Sequence, residues 1–200
     1  KLQGAYHIFQ DHCLDQHSLR VQEATAEELA NIAWALAKLR KKAIFESVSR
    51  ESISRLAIFD ESCISKFMWS FATLDMEQSN SVRLLAKEAS LRCREFSARN
   101  VSCLVWSFAR LRLNDTLLLR TIFAEVRAKV NEFGSRDVSM CAWGMAKLSV
   151  QDAPLMDLLL KKALLDVSDS KLQDLSNLTW ALATFDVARP HFFRAVAQQP

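Results

Sequence analysis

The sequence predicts an all-α protein, an α-solenoid of about five stacked helical hairpins with a 37-residue period and a right-handed superhelical sense. Three observations carry that prediction. All five tryptophans (Trp34, Trp69, Trp106, Trp143 and Trp180) follow one another at intervals of 35, 37, 37 and 37 residues, a regularity that chance placement would not hold. Each sits in a near-copy of one amphipathic segment. Only three glycines and three prolines interrupt 200 residues, so long helices joined by short polar turns fit better than a chain rich in tight turns.

Taken in chain order, AYHIFQDHCLDQHSLRVQ (5–22) reads as the second helix of a preceding, partly covered repeat. The first helix of each hairpin, helix A, follows as ELANIAWALAKL (28–39), CISKFMWSFATL (63–74), NVSCLVWSFARL (100–111), DVSMCAWGMAKL (137–148) and DLSNLTWALATF (174–185). The second helix, helix B, is SVRLLAKEASLRCREF (81–96), TLLLRTIFAEVRAKVNEF (116–133) and PLMDLLLKKALLDV (154–167), with Pro154 suited to a first helical turn. PHFFRAVAQ (190–198) begins the helix B of the fifth unit. Thr25 with Glu28 and Ser170 with Gln173 have capping-box spacing. SARN (97–100) and GSRD (134–137) separate repeats, and the short first interval implies a two-residue deletion after Trp34. The chain thus divides into a partial repeat 1–25 and repeats at about 26–60, 61–96, 97–133, 134–169 and 170–198. It is expected to form a single solenoid belonging to a longer array.

Counted from each Trp, offsets −5, −2, +2 and +5 are apolar in every unit and lie on one helical face. The Trp and the Ala at +3 mark a second apolar side, so helix A should be sandwiched between neighbours. Small residues at −4 and +1 would let helices approach closely.

The bulk chemistry excludes more than it suggests. Half the residues are apolar, and 26 basic against 23 acidic residues leave a formal charge of +3, too little to indicate a nucleic-acid binder by itself. Five cysteines without a CxxC pair read as reduced, buried thiols of an intracellular protein. No apolar run reaches the ~20 residues of a membrane span. The chain starts at Lys1, so any targeting segment is expected ahead of it. There is no Gly-rich phosphate loop, HExxH or GxSxG, which leaves no catalytic residue and no cofactor to name. His7, His12 and His17 step by five around Cys13, the wrong spacing for helical metal ligands, so no metal site is assigned.

Function is therefore sought on the surface. Offsets −6, −3, +1 and +4 of helix A form a mostly polar stripe that varies between units on a constant scaffold. Modular readers of single-stranded RNA need such variation. The candidate RNA contacts are Lys38, Arg110 and Lys147 at +4, with Thr73 and Thr184 there in the other units, and Asn31, Lys66, Asn100, Ser107 and Asn177 elsewhere on the stripe. Cations and hydroxyls aligned in this way suit a phosphate backbone, whereas aromatic stacking residues are expected to be absent from the stripe. Basic residues of helix B (Arg83, Lys87, Arg92, Arg94, Arg120, Arg127, Lys129, Lys161 and Lys162) read as solvation of an outer layer.

LANIAWALAKL (29–39) and LSNLTWALATF (175–185) resemble the heptatricopeptide repeats, and the related octotricopeptide and FAST-kinase-like helical repeats of organellar proteins. The likeness runs over roughly 26–198, and a C-terminal RAP domain, common in that group, is not visible. The resemblance implies an RNA-binding solenoid of a mitochondrion or plastid, acting in transcript stabilisation, processing, translation or ribosome assembly. Its partners would be single-stranded or ribosomal RNA. Cys103 and Met140 stand where Asn31 and Asn177 stand in other units, so no base code transfers. The alternative is a non-catalytic scaffold subunit of a large organellar complex that meets protein partners through the solenoid surface.

Overall fold

The computed structural model describes residues 23–185 and 190–197. Among these residues it is all-helical, with no strand and ten α-helices. They are α1 (Ala26–Lys38), α2 (Lys42–Ile53), α3 (Glu61–Thr73), α4 (Asn80–Leu91), α5 (Ala98–Arg110), α6 (Thr116–Lys129), α7 (Ser135–Lys147), α8 (Ala153–Leu165), α9 (Leu172–Thr184) and α10 (Pro190–Ala197). The expected helix over 5–22, and with it Cys13 and the three N-terminal histidines, lies outside the described residues. No helix among those described is long and apolar enough to cross a membrane.

The odd-numbered helices are the A helices and pack on one another in sequence, α1 on α3, α3 on α5, α5 on α7 and α7 on α9. Each of α1, α3, α5 and α7 also packs on the B helix that follows it, and neighbouring B helices touch less extensively. Two layers result, with the core between them. Offsets −5, −2, +2 and +5 supply that core, including Ile64, Phe67, Phe71, Val101, Leu104, Phe108, Val138, Cys141 and Met145, all essentially inaccessible. Ile32 and Leu39 depart from this and are exposed.

Local chemistry sets the helix ends. Thr25 caps α1 in a capping box with Glu28, and the Asp60, Ser97, Asp115 and Asp152 side chains accept the N–H three residues on. The Ser170–Gln173 capping box does not form. Lys171 is the N-cap of α9, and the Ser170 hydroxyl donates back to the Asp166 carbonyl at 3.0 Å. Helices A end without glycine. Arg40, Asp75, Arg112 and Ser149 adopt φ of 56°, 52°, 53° and 56°, and the following N–H reaches back five residues, as Leu113 does to the Phe108 carbonyl at 3.0 Å. The two-residue deletion falls here, since 39–41 joins α1 to α2 whereas 111–115 and 148–152 make the later connections. Each of the first three B helices leads through a single 3₁₀ turn to an extended Phe, and Phe59, Phe96 and Phe133 are each 1% exposed. These plugs close the layers between hairpins.

Close approach of the A helices depends on residue size. The −4 residues Ala30, Ser65, Ser102 and Ser139 and the +1 residues Ser70 and Ser107 are all buried in the seams. A Cβ on Gly144 would stand 2.4 Å from Val105 Cγ1 and 3.3 Å from the Val105 carbonyl oxygen. Val105 is β-branched in a helix and has little rotamer freedom with which to yield. Gly144→Ala should lower stability by about 1–3 kcal/mol in urea unfolding, and less in a Val105→Ala background. Ser149→Gly should raise it by about 0.5–1 kcal/mol, since glycine bears φ > 0 without the Cβ penalty.

Candidate nucleic-acid interface

The same seams decide which face of helix A meets solvent. Offsets +1 and −6 turn into the seam or its edge: Ser70 and Ser107 are fully buried, and Cys63 is 2% exposed. The Ser70 and Ser107 hydroxyls donate to their own helix, at the Lys66 and Cys103 carbonyls (2.7 and 2.8 Å). Ser107 therefore cannot contact a ligand, which corrects its place among the candidates. The exposed stripe is rotated to offsets −7, −3, 0 and +4, which fall within about 60° of one another at 100° per residue.

That stripe contains the tryptophans. Small residues at −4 and +1 draw the helices together, and each indole lies at the mouth of the seam, not sandwiched in the core as the apolar pattern suggests. Trp34 and Trp180 are 46% and 40% exposed, and Trp69, Trp106 and Trp143 are half-buried. The five rings form an unbroken ladder with successive centroids 6.2, 6.2, 6.5 and 6.4 Å apart. Their planes tilt by 32°, 22°, 30° and 41°. Aromatic residues are thus present on the stripe, against expectation.

Cations flank the ladder. Lys38 Nζ stands 5.6 Å from the Trp34 ring and 5.5 Å from Trp69, and Lys147 Nζ 5.7 Å from Trp143 and 4.7 Å from Trp180. Arg110 lies 5.9 Å from Trp106 and also pairs with Asp75 of the preceding turn at 2.5 Å. Two adjoining hollows of about 1120 and 680 Å³ run along the ladder and share Trp69, Arg99, Arg136, Asp137 and Met140. Asn31, Lys38, Lys66 and Asn100 line the smaller, and Arg110 and Asn177 the larger. Arg99 and Arg136 occupy offset −7, are exposed, and carry no ion pair among the described residues. The sequence reading missed both, although −7 lies only about 20° from the Trp direction.

Other candidates are less available. The Thr73 hydroxyl is buried without a hydrogen-bond partner, sealed from any groove ligand. The Thr184 hydroxyl donates to the Trp180 carbonyl at 2.9 Å, and Asn177 accepts from Gln173 at 3.0 Å. Lys66 donates to Asn31 at 2.9 Å, joining two adjacent units. Three of the groove acids are engaged as well: Asp137 accepts from Ser102 at 2.6 Å, Asp174 from Ser139 at 3.2 Å, and Asp166 pairs with Lys162 at 2.9 Å. Burial pushes the Cys63 and Cys93 thiols up to about 12 and raises Cys103 and Cys141, so these thiols stay protonated at neutral pH. No cluster of His, Cys, Asp and Glu suited to a metal occurs among the described residues.

Fold and groove together define a class of protein, a helical-hairpin solenoid whose groove pairs an indole ladder with cations. Residues 16–200 match the RNA-editing substrate-binding complex 6 protein family (RESC6), and the chain belongs to that family. No individual curated protein matches it.

Arg110 is more than a third exposed, so its ion pair and ring contact are weak in water. Arg110→Ala should cost less than about 1 kcal/mol in thermal unfolding. Trp106→Ala, which breaks two ring contacts, should cost about 1–3 kcal/mol.

Proposed function

We propose that this chain is a non-enzymatic RNA-binding subunit of an RNA-editing substrate-binding complex, and that it holds single-stranded RNA along the tryptophan groove. One observation carries the reading: an unbroken ladder of partly exposed indoles lies between cations that have no ion pair among the described residues, Arg99 and Arg136 at one end of the helices and Lys38 and Lys147 at the other. Partly exposed indoles accept bases of any identity by stacking, and flanking cations accept phosphates. Double-stranded RNA fits poorly, because its bases offer no free face to the ladder.

The family's description supports an editing substrate as the RNA partner. The heptatricopeptide character of the repeat, and with it a mitochondrial or plastid setting, rests on the Trp-centred motif. The same motif supports treating 1–200 as one solenoid within a longer array. A scaffold role toward protein partners is compatible with the groove, because it would use the other layer.

The test is the salt dependence of binding to an unstructured single-stranded RNA, followed by fluorescence anisotropy. Four to five phosphate contacts should give a slope of log K against log salt of about −3. Arg99→Ala with Arg136→Ala should make that slope shallower by about 1.4, and the Lys38, Arg110 and Lys147 alanine variants should also make it shallower. A slope near zero, or one unchanged in both variants, removes the groove from the reading. No RNA binding at all leaves the scaffold role.

A further inference from the structure

The B layer carries a second organised surface, independent of the groove. On α4, α6 and α8, offset +14 from the Trp holds Arg83, Arg120 and Asp157, offset +18 holds Lys87, Ala124 and Lys161, and offset +22 holds Leu91, Ala128 and Leu165. Steps of four place these rows on one face of each helix. Leu91, Leu117 and Leu165 are 72%, 70% and 79% exposed, and Leu84 and Leu164 lie beside them at 50% and 37%. Scattered exposed leucines are ordinary, but five on three adjacent helices of one layer form a patch.

Its charge is of one sign. The exposed charged residues of α4, α6 and α8 are Arg83, Lys87, Arg120, Arg127 and Lys161, with no exposed acid among them. The acids of these helices are tied down. Glu88 lies 3.7 Å from Arg92 and Glu125 2.6 Å from Lys129, while Asp157 is half-buried with a partner of its own. At the N-cap of α8, Asp152 holds Arg127 at 2.6 Å.

We infer that this face docks an acidic amphipathic helix from a different protein. The B helices touch less extensively than the A helices, so the wide end of the usual packing distance, about 10 Å, applies, and at 1.5 Å per residue a helix lying across the B layer reaches a new repeat about every six to seven residues. Such a partner presents an apolar residue at each seventh position to Leu91, Ala128 and Leu165. Its Asp and Glu residues stand beside those anchors, toward Arg83, Lys87, Arg120 and Lys161. A second copy of this chain would bring the same basic face against itself and be repelled. RNA would find leucines where it needs stacking faces.

Two synthetic helical peptides of about 21 residues, with leucine at every seventh position and either glutamate or lysine flanking it, are titrated against the full chain by fluorescence anisotropy. The glutamate peptide should bind about tenfold tighter or more. Leu91→Ser with Leu165→Ser should weaken it about fivefold or more, with an unchanged circular dichroism spectrum because both sites are solvent-exposed. The inference is overturned by equal binding of the two peptides, by binding of neither, or by indifference to the serine pair. Displacement of the glutamate peptide by single-stranded RNA would assign the face to RNA. Sedimentation showing that the serine pair dissolves a dimer would assign it to a second copy.

Discussion

The distance at which one A helix can approach the next governs the rest of this structure. Small residues at two offsets, Ser65, Ser102 and Ser139 at −4 and Ser70, Ser107 and Gly144 at +1, let adjacent backbones come close enough that a single added Cβ at Gly144 would meet Val105 at 2.4 Å. A seam so narrow has no room for an indole. Each tryptophan is held at the mouth, where it meets the tryptophan of the next unit. Regular stacking of hairpins thus produces an aromatic surface as a by-product of tight packing. Hydroxyls are tolerated in the seam because they donate to the backbone or across it, as Ser102 does to Asp137.

The groove chemistry follows from helical geometry. Offset +4 lies one turn beyond the Trp on the same side, so a lysine there lands over the rings of its own unit and the next, as Lys38 and Lys147 do. Such a cation steadies the ladder while its remaining N–H donors face water. Arg110 differs, since Asp75 takes part of its charge. Arg99 and Arg136, exposed at the far lip of the groove and without an ion pair among the described residues, are better placed to hold phosphates than Arg110.

The fold was legible in the sequence because a 37-residue period and a 3.6-residue period reinforce each other at every unit, and the apolar offsets become the core almost one for one. The candidate face was legible only in part. An apolar periodicity does not separate a buried aromatic residue from one leaning out of a seam, so the tryptophans read as core and the stripe was set toward +1, where Ser107 is buried. The turns were hidden for a similar reason: the left-handed positions are filled by Arg40, Asp75, Arg112 and Ser149, none of which announces a positive φ. Thr25 declared its cap, whereas Ser170 had the right spacing but gave its hydroxyl to the preceding turn.

A tryptophan groove that holds single-stranded RNA brings its indoles against the bases. Ultraviolet cross-linking of a bound single-stranded RNA, with the cross-linked residues located by mass spectrometry of tryptic fragments, tests it most directly. Adducts are expected at Trp69, Trp106 and Trp143, in fragments drawn from α3, α5 and α7. Adducts confined to the B helices, with the tryptophan fragments unmodified, would contradict it.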